Sequence, residues 1–147
     1  MKDYIINKKT LAIISCDYNK SLIYEGNKMI IVKNRPNLII NKNCIINGST
    51  FLGRRKCSEN IIGSSYKAPI LIGEKDNLIF FPTSSPRLKN VSWINLINVD
   101  KIYYNNLKKV TIVVFKNGVT IEFDVSLNIM NNQILRATRL EHCLRQK

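Results

Sequence analysis

The stretch "VTIVVFKNGVTIEFDV", residues 110–125, constrains the fold more than any other part of this chain. Asn117-Gly118 supplies the two positive-φ positions of a tight two-residue hairpin, and both arms are rich in β-branched residues. Alternation on the second arm places Val119, Ile121, Phe123 and Val125 on one face. In a two-residue register Val114 opposes Ile121 and Ile112 opposes Phe123, which makes that face a buried one. Val113 and Phe115 then fall on the other face, beside Thr120 and Glu122. That second apolar side calls for a cover, either a helix or a second subunit.

The rest of the chain reads as more of the same architecture. Up to about Ile46 it runs in short apolar pieces, "YII", "LAIIS", "SLIYE", "KMIIVK", "NLII" and "CII", separated by turn-prone "EGNK", "NRPN" and "NKN". Such runs predict strands of a meander. Residues 50–62 predict a short helix with Ser49 as N-cap and Gly63 as its stop, although Gly53 weakens it and a loop is the alternative. Pro69 admits a strand "ILI", a turn "GEKDN" and a second strand "LIFF" ended by Pro82. "WINLINVDKIYY" is a further strand with a break. Ser126 or Asn128 can cap a last helix near 128–146, in which Met130, Ile134, Ala137, Leu140 and Leu144 form one stripe. Neither an internal repeat nor a linker interrupts the pattern. The expectation is one α+β domain over 1–147, mostly antiparallel β-sheet of meanders and hairpins, with a short helix near 50–62 and a C-terminal helix near 128–146.

Charge narrows the function. Twenty-three Lys plus Arg face ten Asp plus Glu, a net +13 over 147 residues. The 23 Ile, 19 Asn and 16 Lys are what A+T-rich codons supply. That bias explains part of the lysine but not the scarcity of acids, so a phosphate polymer is the expected partner. Cys16, Cys44, Cys57 and Cys143 include no CxxC pair, and His142 is the only histidine, so neither a metal site nor a cofactor is expected. Free thiols fit a cytoplasmic protein. "LAIISC" loosely resembles a lipoprotein signal, but its apolar run is too short and polar residues precede it. No run approaches the roughly 20 apolar residues of a membrane span. Paired acids, a nucleophile–base couple and a phosphate-loop glycine pattern are all missing, so no catalytic residue is expected and the chain does not read as an enzyme.

Binding chemistry is easier to place. Arg54, Arg55 and Lys56 sit among hydroxyls, Ser49, Ser64 and Ser65, followed by Lys67; Arg87 and Lys89 repeat the theme in "TSSPRLKN". Guanidinium, ammonium and hydroxyl donors near glycine are what phosphate oxygens accept from. These two loops flank the hairpin from Ile70 to Phe81 and could converge on one surface. Arg136 and Arg139 add cations on the last helix, where a merely solvated face is an equal reading. Trp93 and the tyrosines at 103 and 104 could stack on bases, although aromatics in strands more often belong to a core.

"GSTFLGRRK", "YKAPILI", "LIFFPTSSPR", "WINLINV", "FKNGVTIEFDVS" and "NNQILRATRL" resemble, in order and spacing, the ComK family of competence transcription factors. The resemblance covers Cys44 to Leu140. It implies a DNA-binding activator of DNA-uptake genes, acting as a homodimer or higher oligomer on A-rich and T-rich boxes of double-stranded DNA. A·T tracts narrow the minor groove and deepen its negative potential, which favours inserted Arg and Lys. No helix-turn-helix is visible, so a loop or β-ribbon is the expected reading element. Longer family members continue past the position of Lys147 into a tail tied to a proteolytic adaptor, and the resemblance leaves recognition by that adaptor in doubt for this chain. Two alternatives stand beside the leading reading: a truncated module that modulates a full-length regulator, and a general RNA-binding protein.

Overall fold

The computed structural model describes residues 3–63, 66–84 and 91–146. Among these residues nine strands and three α-helices form an α+β fold in three layers. In chain order they are β1 (Thr10–Asp17), β2 (Lys20–Glu25), β3 (Lys28–Val32), α1 (Pro36–Ile46), α2 (Phe51–Ile62), β4 (Ile70–Gly73), β5 (Leu78–Pro82), β6 (Trp93–Asn95), β7 (Val99–Asn105), β8 (Val110–Phe115), β9 (Thr120–Phe123) and α3 (Leu127–Arg145). The central layer is a six-stranded sheet, β3-β2-β1-β6-β5-β4, in which every described pairing is antiparallel. A separate sheet, β7-β8-β9, stacks on one side of it together with α3.

Alternation along the strands divides the core between the two faces. Ile79, Phe81 and Ile94 point toward the small sheet and α3, where they meet Val113, Phe115, Ile121, Met130, Ala137 and Leu140. Phe80, Trp93, Ile70 and Ile72 point the other way, toward Ile39, Ile40 and Cys44 of α1. Because both faces are covered, β4 and β5 are continuously apolar and wholly buried rather than alternating. The expected break in "WINLINV" is a single 3-10 turn, Leu96–Asn98, which carries the chain from one sheet to the other.

Three local expectations are corrected. The pieces "NLII" and "CII" are not strands but helix α1, and "YII", residues 4–6, lies ahead of β1 in no strand. Pro36 occupies its first turn, where the missing N–H costs nothing, and Ile39, Ile40, Asn43 and Cys44 are spaced to meet the sheet on one helical face. The cap of α2 is Thr50 rather than Ser49: Thr50 is extended, and its Oγ1 accepts from Gly53 N at 3.0 Å. A Cβ on Gly53 would lie 3.1 Å from Ser49 Oγ and 3.2 Å from Thr50 Oγ1, so glycine leaves room for this turn. Gly63, at φ +80°, ends the helix as expected.

The β8–β9 hairpin differs by one residue. Its loop is Lys116–Asn117–Gly118, closed by Gly118 N to Phe115 O at 2.9 Å and Phe115 N to Val119 O at 2.8 Å. Gly118, at φ +91°, takes the positive-φ position while Asn117 does not. Such a three-residue turn shifts the register, so Val113 opposes Ile121 and Val114 opposes Thr120. Val113 and Phe115 therefore join the core face, fully or almost fully buried, and Ile112 and Val114 take the other side. The C-terminal helix starts from Ser126, which accepts from Ile129 N at 3.1 Å, and its expected stripe is packed in the core.

Candidate nucleic-acid interface

Successive positions of an α-helix point about 100° apart, so three adjacent cations on α2 cannot share one face. Arg54 turns inward: its side chain is 12% exposed and its guanidinium lies 3.5 Å from Glu74 Oε1 in the β4–β5 turn. Arg55 is half-buried, and the Nε atoms of both arginines find no hydrogen-bond partner among the described residues. Lys56 alone of the three is exposed. Ser49 is partly buried ahead of the helix.

The other end of the β4–β5 hairpin is built around α3. Gln133, buried at 2% exposure, donates from Nε2 to Lys67 O at 2.9 Å and to Pro82 O at 2.7 Å. One side chain thus clamps the strand entering the hairpin to the strand leaving it. Arg136 completes the clamp. Its Nη1 donates to Gln133 Oε1 at 2.9 Å, and its Nη2 donates to Tyr66 O. Burial pulls the guanidinium below the usual arginine value. Arg136 is therefore occupied with the protein's own backbone, whereas Arg139, three residues on, is exposed. Lys67, at φ +52°, holds its Nζ 5.2 Å from the centre of the Tyr66 ring. Ser64, Ser65, Arg87 and Lys89 lie outside the described residues. The described ends of their two loops, Tyr66–Lys67 and Thr83–Ser84, are nonetheless drawn to one place by Gln133. Lys67 and Arg54 stand at opposite ends of β4, so the expected residues that are described do not form one cluster.

Trp93 is core, fully buried with Nε1 donating to Asn37 Oδ1 at 2.8 Å; Tyr103 and Tyr104 are exposed at 48% and 37%. A second basic feature has no counterpart among the residues expected from the sequence. Lys8, Lys9, Lys28 and Lys116 line a cleft of about 770 Å³ where three turns meet. Asparagines tie those turns together: Asn98 Nδ2 donates to Lys8 O at 2.9 Å and Asn117 Nδ2 to Gly26 O at 3.0 Å. Lys8 and Lys28 have carboxylate partners, Asp76 at 3.4 Å and Glu25 at 3.3 Å, but Lys9 and Lys116 have none among the described residues. Only the recurrence of lysine beside Asn in "NKK", "GNK" and "KNG" hints at this grouping in the sequence.

No described helix is long and apolar enough to cross a membrane. The model of the ComK family, described as ComK protein, matches residues 1–147 of the chain. A competence transcription factor of Bacillus subtilis (strain 168) is 27% identical over 143 residues, which is 95% of this chain and 74% of that relative. No solved structure matches.

Proposed function

The chain belongs to the ComK family and is a competence-related transcription regulator; from that premise we propose that it acts in the cytoplasm by binding A+T-rich duplex DNA as a dimer or higher oligomer. The observation that carries this reading is the family match over all 147 residues. Charge supports it, because a +13 chain attracts phosphate polymers at long range. Geometry supports it through the cations left exposed after the chain has satisfied itself. Lys56 and Arg139 on the helices, and Lys9 and Lys116 at the turns, have no carboxylate among the described residues and can neutralise phosphates. Arg54 and Arg136 belong to the fold, and their contribution to DNA is indirect, through the position of the β4–β5 hairpin.

The test is a gel-shift titration at moderate salt with a duplex carrying paired A/T boxes, a scrambled duplex and a single-stranded RNA. The boxed duplex binds at least tenfold tighter than the other two and gives a stepwise ladder as protomers load. Equal affinity for all three polymers would reduce the protein to a general polycation and sink the proposal. Replacing Lys56 and Arg139 by Ala lowers the salt slope by about 0.9 for each phosphate no longer neutralised, while leaving the melting temperature nearly unchanged.

A further inference from the structure

The β7–β8 hairpin ends in a tip of four residues, Asn106, Leu107, Lys108 and Lys109. Leu107 stands at its apex with 96% of its surface exposed, the highest exposure among the exposed large apolar residues. The exposure belongs to a built turn. Asn105 Oδ1 accepts from the backbone N–H groups of both Leu107 and Lys108 at 3.0 Å, and Lys109 N donates to Asn105 O at 2.8 Å. Lys109 takes φ +57° to close the loop. The side chain of Asn105 thus fixes the backbone of the turn that carries the exposed Leu107.

The tip also projects. Strand β9 pairs with β8 only as far as Thr111 opposite Phe123, whereas β7 and β8 continue to Asn105 opposite Val110. Beyond the last three-stranded position the hairpin continues as two strands for one pair, Asn105 with Val110, and the turn they close. Tyr103 pairs with Ile112 and Tyr104 with Thr111, so the two exposed tyrosines lie on opposite faces of the three-stranded part behind the tip. Lys108 and Lys109 follow the leucine. Lys108 is braced by Glu122 at 2.7 Å, and Lys109 has no carboxylate among the described residues.

Resting on the duplex-DNA reading above, we infer that this hairpin tip is the groove-entering element and that Leu107 is an apolar wedge set between base pairs of the minor groove. An exposed leucine followed by two lysines, of which Lys109 has no carboxylate among the described residues, suits a duplex better than an apolar protein surface, because the lysines would have to be desolvated against a protein but meet phosphates along a groove. Wedges of this kind partly unstack a base step and kink the duplex by roughly 20–90°. Pyrimidine–purine steps, TA among them, unstack readily, so a wedge favours a site carrying such a step without reading any base edge.

The experiment uses the full chain and a boxed duplex carrying donor and acceptor dyes at its two ends. Wild-type protein shortens the end-to-end distance on binding. Leu107→Ala weakens binding roughly tenfold or more, as expected from one apolar side chain left unburied, and abolishes the shortening; Leu107→Met restores both. Because the side chain touches so little of the protein, the melting temperature of each variant matches wild type. Wild-type binding and bending retained in Leu107→Ala would overturn the wedge and leave the DNA reading intact. A variant that changed only the oligomeric state, with the bend per bound complex unchanged, would overturn it equally. Failure of the wild type to bind the boxed duplex at all would remove the DNA reading and the wedge with it.

Discussion

Replacing Gln133 by Leu tests whether one polar side chain in the core holds together the two loop roots of the candidate interface. Gln133 is 2% exposed and makes two donated hydrogen bonds, to Pro82 O at 2.7 Å and Lys67 O at 2.9 Å, besides accepting from Arg136. Leucine fits a buried position on the α3 stripe but can make none of these bonds. The two donated bonds are worth about 1 kcal/mol each, and carbonyls stranded inside the fold add roughly 1–3 kcal/mol, partly offset by better apolar burial. The net expectation is a loss of about 3 kcal/mol. In a chain of this size each kcal/mol moves the midpoint by roughly 2–4 °C, so the melting temperature falls by about 6–12 °C. Urea unfolding followed by circular dichroism measures the loss directly, and the slope should stay at the wild-type value because the surface exposed on unfolding is unchanged. Arg139→Ala, on the exposed face of the same helix, serves as the control and should stay within about 0.5 kcal/mol of wild type. A loss below about 1 kcal/mol for Gln133→Leu would refute the clamp.

Two other consequences are accessible to simple assays. Burial pushes the Cys44 thiol up to about 11, against a smaller opposing pull from Arg54, while Cys16 is exposed; a thiol reagent at about pH 8 should therefore label Cys16 at once and Cys44 only on unfolding, as peptide mass spectrometry would read. Equal labelling rates in the folded protein would contradict that burial. Glu25 is held below the usual carboxylate range first by the Tyr4 hydroxyl, at 2.6 Å, and then by Asn7. A depressed carboxylate stabilises the fold above its unfolded value and loses that contribution as pH falls through the folded one. Tyr4→Phe should therefore be less stable than wild type at about pH 7, with the gap narrowing by about pH 3 in denaturant titrations. A gap that is constant with pH would assign the effect of Tyr4 to packing instead.

Much of the fold was legible because short-range physics decides it. The α3 stripe is written in spacings of four, three, three and four, and any helix carrying it must bury that side. Ser126 before α3 and Gly63 after α2 are capping residues whose preference is local. Strands β1 to β5 follow from β-branched runs between turn residues. The chain's positive charge, and with it the expectation of a phosphate-bearing partner, is also a property of composition alone.

What the sequence left open turned on groups distant along the chain. Residues 36–46 carry short apolar runs that fit a strand or a helix equally, and the choice fell to helix because Ile39, Ile40 and Cys44 meet the sheet face around Trp93. The register of β8 and β9 turned on a single loop residue, and a slip of one exchanges the buried set for the exposed set; Thr111, Val113 and Phe115 face the core because the sheet beneath them has room for that set. Arginines read alike in sequence, yet Arg136 faces backbone carbonyls from residues 66 and 67 while Arg139 faces solvent, a distinction that exists only once α3 is docked. Lysines at positions 8, 9, 28 and 116 become neighbours because antiparallel strands return their turns to one end of the molecule. Periodicity and caps act over a few residues and are therefore written in the chain itself. Which cation is spent on the fold and which is left for a partner depends on contacts across tens of residues, and only the packed structure decides that.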